Sequence, residues 1–289
     1  MSAAIVPISG SKPGAASSAA TSPLLEVDSL TMVFGGLVAV TGFSLTLAEG
    51  ELVALIGPNG AGKTTVFNCL TGLYTPTSGR IRISGQDVTG WPPHRLAEAG
   101  LARTFQNIRL FRELTVLDNV RIAAYLRHRA HNGTLAAICR LPGYWRGERA
   151  IVDESFHYLE LLGLADAADQ VAHGLPYGLQ RRLEIARALA TRPRLLLLDE
   201  PAAGMNPQES DELTQMIRRL QEELELAILL IEHDMRVVMR VAPRILVLDY
   251  GQTIAQGTPA EIQSNPRVIQ AYLGQEDLTP GLDGERSHE

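Results

Sequence analysis

ELVALIGPNGAGKTTVFNCLTG, residues 51–72, holds the reading that decides the fold. Leu52 to Ile56 is an apolar run of strand length, and a helical stretch begins near Lys63. The link between them, GPNGAGKT from Gly57 to Thr64, satisfies G-x(4)-G-K-[ST] in its strand–loop–helix context. The backbone from Gly57 through Pro58, Asn59, Gly60, Ala61 and Gly62 is expected to curl around phosphate oxygens, with the positive helix start behind it. Lys63 is expected to reach the β- and γ-phosphates of a nucleotide, and the Thr64 hydroxyl to ligate Mg²⁺. Thr65 either donates to a phosphate or simply begins the helix.

Outward from this loop, three more short, nearly continuous apolar runs appear: RLLLLDE, LAILLIEHD and RILVLDYG. Helical stretches such as PQESDELTQMIRRLQEEL separate them, which is how buried parallel strands of an α/β sheet read. LLLLDE ends in two carboxylates that are costly to bury without a cation. Asp199 is therefore read as holding Mg²⁺, directly or through water, and Glu200 as polarising the attacking water. His233 ends a third strand of the same direction. All these groups then gather at the carboxyl edge of one sheet, where open α/β sheets bind ligands. Residues 24–56 hold further β-like stretches, and GRIRISGQDV from Gly79 alternates with period two, as an antiparallel strand does. The block from about 114 to 164 has helical periodicity and no convincing strand. The expected fold is α/β, a P-loop NTPase (RecA-like) parallel-sheet core with an antiparallel β subdomain and an α-helical subdomain.

Composition narrows the function. A chain of 289 residues, 45% hydrophobic and 20% charged, is globular, and its net charge of −6 argues against a nucleic-acid binder held by phosphate contacts. Cys69 and Cys139 lie far apart with no CxxC, which suggests a reducing compartment and no zinc site. Cys69 itself reads as a small buried apolar residue. No apolar run approaches the roughly 18 residues that span a bilayer, so any membrane work goes through partners. Residues 1–23, rich in Ala, Ser, Gly and Pro, read as a disordered extension and a poor signal peptide. Residues 275–289 read as a flexible tail, which leaves 24–274 as the folded part with its helical insert at about 114–190. Between Arg121 and Ala150 the insert carries Arg121, Arg127, Arg129, Arg140, Arg146 and Arg149 against Glu148 alone. That is either a solvated basic face or a surface for anionic lipid.

GPNGAGKT, Gln106 in ARTFQNIRLF, LPYGLQRRLEIARAL, LLLLDEP and His233 in IEHD resemble, in order and spacing, an ABC-family ATPase subunit over nearly the whole folded part. FGGLVAV, EPAAGMNP, LLIEHDM and GTPAEIQSNPRVIQAYLG resemble most the larger ATP-binding subunit of branched-chain amino acid importers. The resemblance implies that Phe34 stacks on adenine and that Gln106 senses Mg²⁺ and the attacking water while coupling to membrane subunits. Ala203 to Asn206 falls where the chain crosses to an opposite subunit, with Asn206 in a place often held by Asp. Two ATPs would close a dimer with a second ABC ATPase subunit, identical or related. Two transmembrane permeases and an extracytoplasmic solute-binding protein complete the implied partners, at the cytoplasmic face of a bacterial inner membrane. Rival readings are uptake of urea or amides, lipopolysaccharide export, or a soluble ABC ATPase acting on DNA or ribosomes.

HGLPYGLQRRLEIARALA, residues 173–190, raises a question of its own. Leu183, Ile185, Ala186 and Leu189 alternate with Arg182, Glu184 and Arg187 as in an amphipathic helix. Yet the first turn carries Arg181 and Arg182, where the helix dipole favours acids, and no Ser, Thr, Asp or Asn precedes it. The resemblance makes this segment the signature, typically LSGGQ, which meets the γ-phosphate on the other subunit through residues such as Tyr177 and Gly178. On that reading the two arginines are tolerated beside a triphosphate, with a solvated helix face as the alternative. Pro176, Tyr177 and Leu179 depart from the pattern, so the ATP site built on this signature is expected to be the weaker one.

Overall fold

The computed structural model describes residues 23–128 and 142–276. Six strands form the central sheet in the order β10-β9-β3-β8-β7-β6. β3 (Leu52–Ile56), β6 (Leu101–Arg103), β7 (Leu195–Asp199), β8 (Ala227–Ile231) and β9 (Arg244–Asp249) run parallel, and β10 (Gln252–Gly257) closes one edge antiparallel to β9. Every residue of β3, β7 and β8 is buried. The reason is that both faces are covered. Leu52, Ala54 and Ile56 of β3 join one core with Leu196 and Leu198, while Val53, Leu55, Leu195 and Leu197 join the other. Two-sided burial removes the polar alternation and leaves the continuous apolar runs seen in the sequence.

The second core is closed by α1 (Lys63–Leu70) and by a four-stranded antiparallel sheet, in the order β2-β1-β4-β5. Its strands are β1 (Leu25–Phe34), β2 (Leu37–Leu47), β4 (Ser78–Ile83) and β5 (Gln86–Asp87), and α2 (Pro93–Glu98) leads from it into β6. The first core takes the helical insert, α3 (Val116–His128), α4 (Pro142–Leu161) and α5 (Tyr177–Leu189). α6 (Pro207–Glu223), α7 (Met235–Val241), α8 (Pro259–Gln263) and α9 (Pro266–Glu276) follow the later strands. In the insert, one isolated bridge between Thr115 and Val171 is the strand-like pairing. No described helix is long and apolar enough to cross a membrane.

The expected extension, most of the expected tail, Cys139, Arg129 and Arg140 lie outside the described residues, as does the side chain of Arg127. Arg121 is paired with Asp118 and Glu148, whereas Arg146 and Arg149 are exposed. α9 continues to Glu276, past the boundary expected at 274.

Candidate nucleotide site

The sheet order places four loops side by side at the carboxyl ends of β3, β8, β7 and β6. These loops carry the Gly57–Thr64 segment, His233, Asp199 with Glu200, and Gln106. The first is shaped by backbone geometry that a side chain would spoil. Gly57 has φ +152° and a Cβ there would stand 2.0 Å from the Leu248 carbonyl oxygen. Gly62, the residue before α1, has φ +103° and a Cβ there would stand 2.7 Å from the Ala39 carbonyl oxygen. The loop is braced from behind, since Gly251 N–H donates to the Ala61 carbonyl. α1 begins with no side-chain cap and no acid in its first turn, leaving its first N–H groups to the site. Lys63 is buried and donates to the carbonyls of Gly57 and Pro58 at 2.6 and 2.9 Å. Burial pushes the Lys63 ammonium pKa down, while the charges of Glu200 and Asp199 pull it back up. Asn59, Gly60 and Thr64 are exposed, and Thr65 is half-buried.

Glu200 is the centre of the opposite wall. Its φ of +46° is a left-handed conformation that a non-glycine residue adopts at a cost, and its N–H is fixed to the Ile231 carbonyl. Gln106 Nε2 donates to Glu200 Oε2 at 2.8 Å, and His233 Nδ1 lies 3.7 Å from the same oxygen. Asp199 is buried, and its Oδ2 accepts from Arg103 Nη2 at 2.6 Å. Arg103 also donates to Asn68 of α1 and to Thr71 just past its end, and lies near the rings of Phe67 and Phe105. Sequence reasoning missed Arg103 and its strand, because β6 is three residues long. It also missed Glu232, a fully buried carboxylate that accepts the Ala202 N–H at 2.8 Å and so ties the loop after Glu200 to β8. Burial pushes the Glu232 carboxyl pKa up.

Among the described residues no three His, Cys, Asp or Glu side chains gather into a protein-only metal cage. What the site offers is a threonine hydroxyl, a carboxylate and an amide. Such a hard-oxygen set fits Mg²⁺, which uses one or two carboxylates together with phosphate oxygens. Phe34, at the end of β1, is exposed and meets Tyr74 in an edge-to-face pair at 5.2 Å.

The start of α5 corrects the sequence reading. Arg181 is fully buried, not aimed at an anion: its guanidinium donates to the carbonyls of Phe105 and Gln106 at 2.6 and 2.7 Å. It pairs with Glu184 at 2.8 Å, and Glu184 is also buried rather than on a solvated face. Arg182 pairs with Glu212 on α6. The helix start is nonetheless bare, with Pro176 at the cap position, no side-chain cap and no acid in the first turn. Tyr177 is part-exposed and packs over Gly204, and Gly178 lies against Glu209.

Residues 40–203 match the ABC transporter family. The chain belongs to the ABC transporter ATP-binding family. Residues 252–277 match a second family, branched-chain amino acid ATP-binding cassette transporter. The chain is 51% identical to the high-affinity branched-chain amino acid transport ATP-binding protein BraF of Pseudomonas aeruginosa, over 88% of this chain and 98% of that protein. It is 48% identical to the LivG protein of Escherichia coli, described in the same words, with the same coverage. Among solved structures, the ADP conformation of MJ1267, an ATP-binding cassette of an ABC transporter, superposes with a TM-score of 0.75 at 30% identity. That match covers 88% of this chain and 100% of the other. The P-loop NTPase core, antiparallel sheet and helical insert are thus those of an ABC cassette, and the chain is an ATP-binding ATPase.

Proposed function

We propose that this cassette powers an importer for branched-chain and related hydrophobic amino acids. The supporting observation is the joint match of the cassette and the 252–277 segment to proteins of that description over nearly their full length. It sits at the cytoplasmic face of the bacterial inner membrane, peripheral to two permease subunits that a solute-binding protein serves from outside. A second cassette, related or identical, faces it across two ATPs.

In this reading the bare start of α1 and the Gly57–Gly62 backbone hold the phosphates, Lys63 reaches the outer ones, and Phe34 stacks on adenine. Thr64 and Asp199 would hold Mg²⁺, with Gln106 as a further oxygen donor, and the chemistry supplied there would be neutralisation of phosphate charge. Glu200 takes the proton of the attacking water, and its strained backbone and its bond to Gln106 hold the carboxylate oxygen on a fixed line. His233, within 4 Å of that oxygen, acts as the γ-phosphate switch. Tyr177 and Gly178 contribute to the partner's site. A cavity of about 440 Å³ beside the Gln106 loop, with Phe105, Phe111 and Ile122 in its wall, gives a permease segment a place to act on that loop.

The test uses the transporter co-purified from its native membrane through a tag on this chain. Glu200→Gln is expected to lower ATP hydrolysis by about 100-fold or more while nucleotide still binds. Full-speed hydrolysis removes Glu200 from its role. Identification of the accompanying chains, with stimulation of the wild-type rate by leucine, isoleucine or valine but not by urea, tests the substrate class.

A further inference from the structure

Arg181 and Glu184 form a fully buried ion pair one turn into α5, and both face the same short loop. Arg181 donates to the carbonyls of Phe105 and Gln106, while Glu184 Oε1 accepts from the N–H groups of Phe105 and Arg109, each at 3.3 Å. The loop is thus gripped on its donor and acceptor sides by one helix turn. On the other flank, Tyr177 accepts from Arg181 at 3.1 Å and lies over Gly204, in the loop that follows Glu200. The first turn of α5 therefore sits between the two loops that flank Glu200. The side chain at the tip of the gripped loop, Gln106, reaches Glu200 directly.

We propose that Arg181 is a positioning residue, which through the Phe105–Gln106 backbone sets whether Gln106 meets Glu200, so that the start of α5 and the hydrolytic carboxylate move together. The inference rests on the reading of Glu200 above. A buried guanidinium suits this task because its planar fork serves several acceptors at fixed angles and stays charged. An ion pair used only to hold α5 in the core would be a poor choice, since apolar residues of similar volume often stabilise as well.

The experiment is a double-mutant cycle in the co-purified transporter, reading kcat and KM for ATP. Arg181→Met is expected to lower kcat between about 10-fold and 100-fold, the size of effect that follows when a catalytic contact shifts by about an ångström. KM should stay within about twofold, because Arg181 touches no part of the phosphate loop. Arg181→Met combined with Gln106→Ala should be no slower than Gln106→Ala alone. Arg182→Met, the same charge loss one residue along, should leave kcat unchanged. If Arg181→Met does not fold, Arg181→Lys keeps the charge beside Glu184, loses the fork, and enters the same cycle. Effects that multiply in the double variant, or a loss confined to KM, overturn the proposal. Glu200→Gln in the same series separates the failures: if it abolishes hydrolysis while the cycle multiplies, only the role of Arg181 falls.

Discussion

α1 and α5 begin differently from α6 and α8. The latter two open with reciprocal capping boxes: Asn206 with Glu209, and Thr258 with Glu261. α7 is capped by Asp234, which accepts the Arg236 N–H. α1 and α5 follow Gly62 and Pro176 at their cap positions, with no side-chain cap and no acid in the first turn. A capped helix satisfies its own orphan donors, whereas a bare one leaves them to water or to a ligand. A bare start alone is no sign of a site, since the short α2 also lacks a side-chain cap. What sets α1 and α5 apart is their setting. α1 follows a loop that only glycine can shape, and the first turn of α5 is wedged between the loops flanking Glu200.

The sharpest way to break this comparison is at α1. Gly62→Ala places a side chain on a residue with φ +103° and against the Ala39 carbonyl. The strain is expected to cost about 3 kcal/mol and to weaken ATP binding about 100-fold, read by titration with a fluorescent nucleotide. Unchanged affinity would mean the loop shape is not what holds phosphate. At α5, Pro176→Ser supplies the hydroxyl that the signature lacks. A restored charge-assisted hydrogen bond of about 1.5–3 kcal/mol should raise transport-coupled ATP hydrolysis by about tenfold or more if that step limits turnover. An unchanged rate would count against a weak second site. At α6, Asn206→Ala removes a cap and should cost about 1 kcal/mol, lowering the melting temperature by about 2 °C. ATP binding by this chain should not change. A fall in nucleotide affinity there would erase the distinction between capped and bare starts.

Arg103 offers a test of a different buried contact. Arg103→Met leaves Asp199 buried without its guanidinium, so a stability loss of about 3–5 kcal/mol is expected in urea unfolding. A loss below about 1 kcal/mol would show that water or Lys63 takes over the compensation.

The phosphate loop, the parallel strands and the two carboxylates at the end of β7 could be read from the chain because local rules fix them. Glycines at positive φ, continuous apolar runs and a strand ending in Asp-Glu each carry their reason within a few residues. β6 was illegible, since Leu101–Arg103 is too short to show a period and gains its strand form by pairing with β7. Arg181 was misread for a related reason. The sequence places a cation in a first turn, and the rule for helix dipoles supplies an anion for it.

The sequence by itself determined the cassette fold, the phosphate-loop motif and the bare start of α5. Tertiary structure alone decided what the buried charges do: Arg181 answers Phe105, Gln106 and Glu184, Arg103 answers Asp199, and Glu232 answers Ala202. The physical reason is range. Backbone conformation and two-sided burial leave their marks within a few residues, whereas the desolvation of a charge is offset only by partners the fold brings in, here up to 96 positions away.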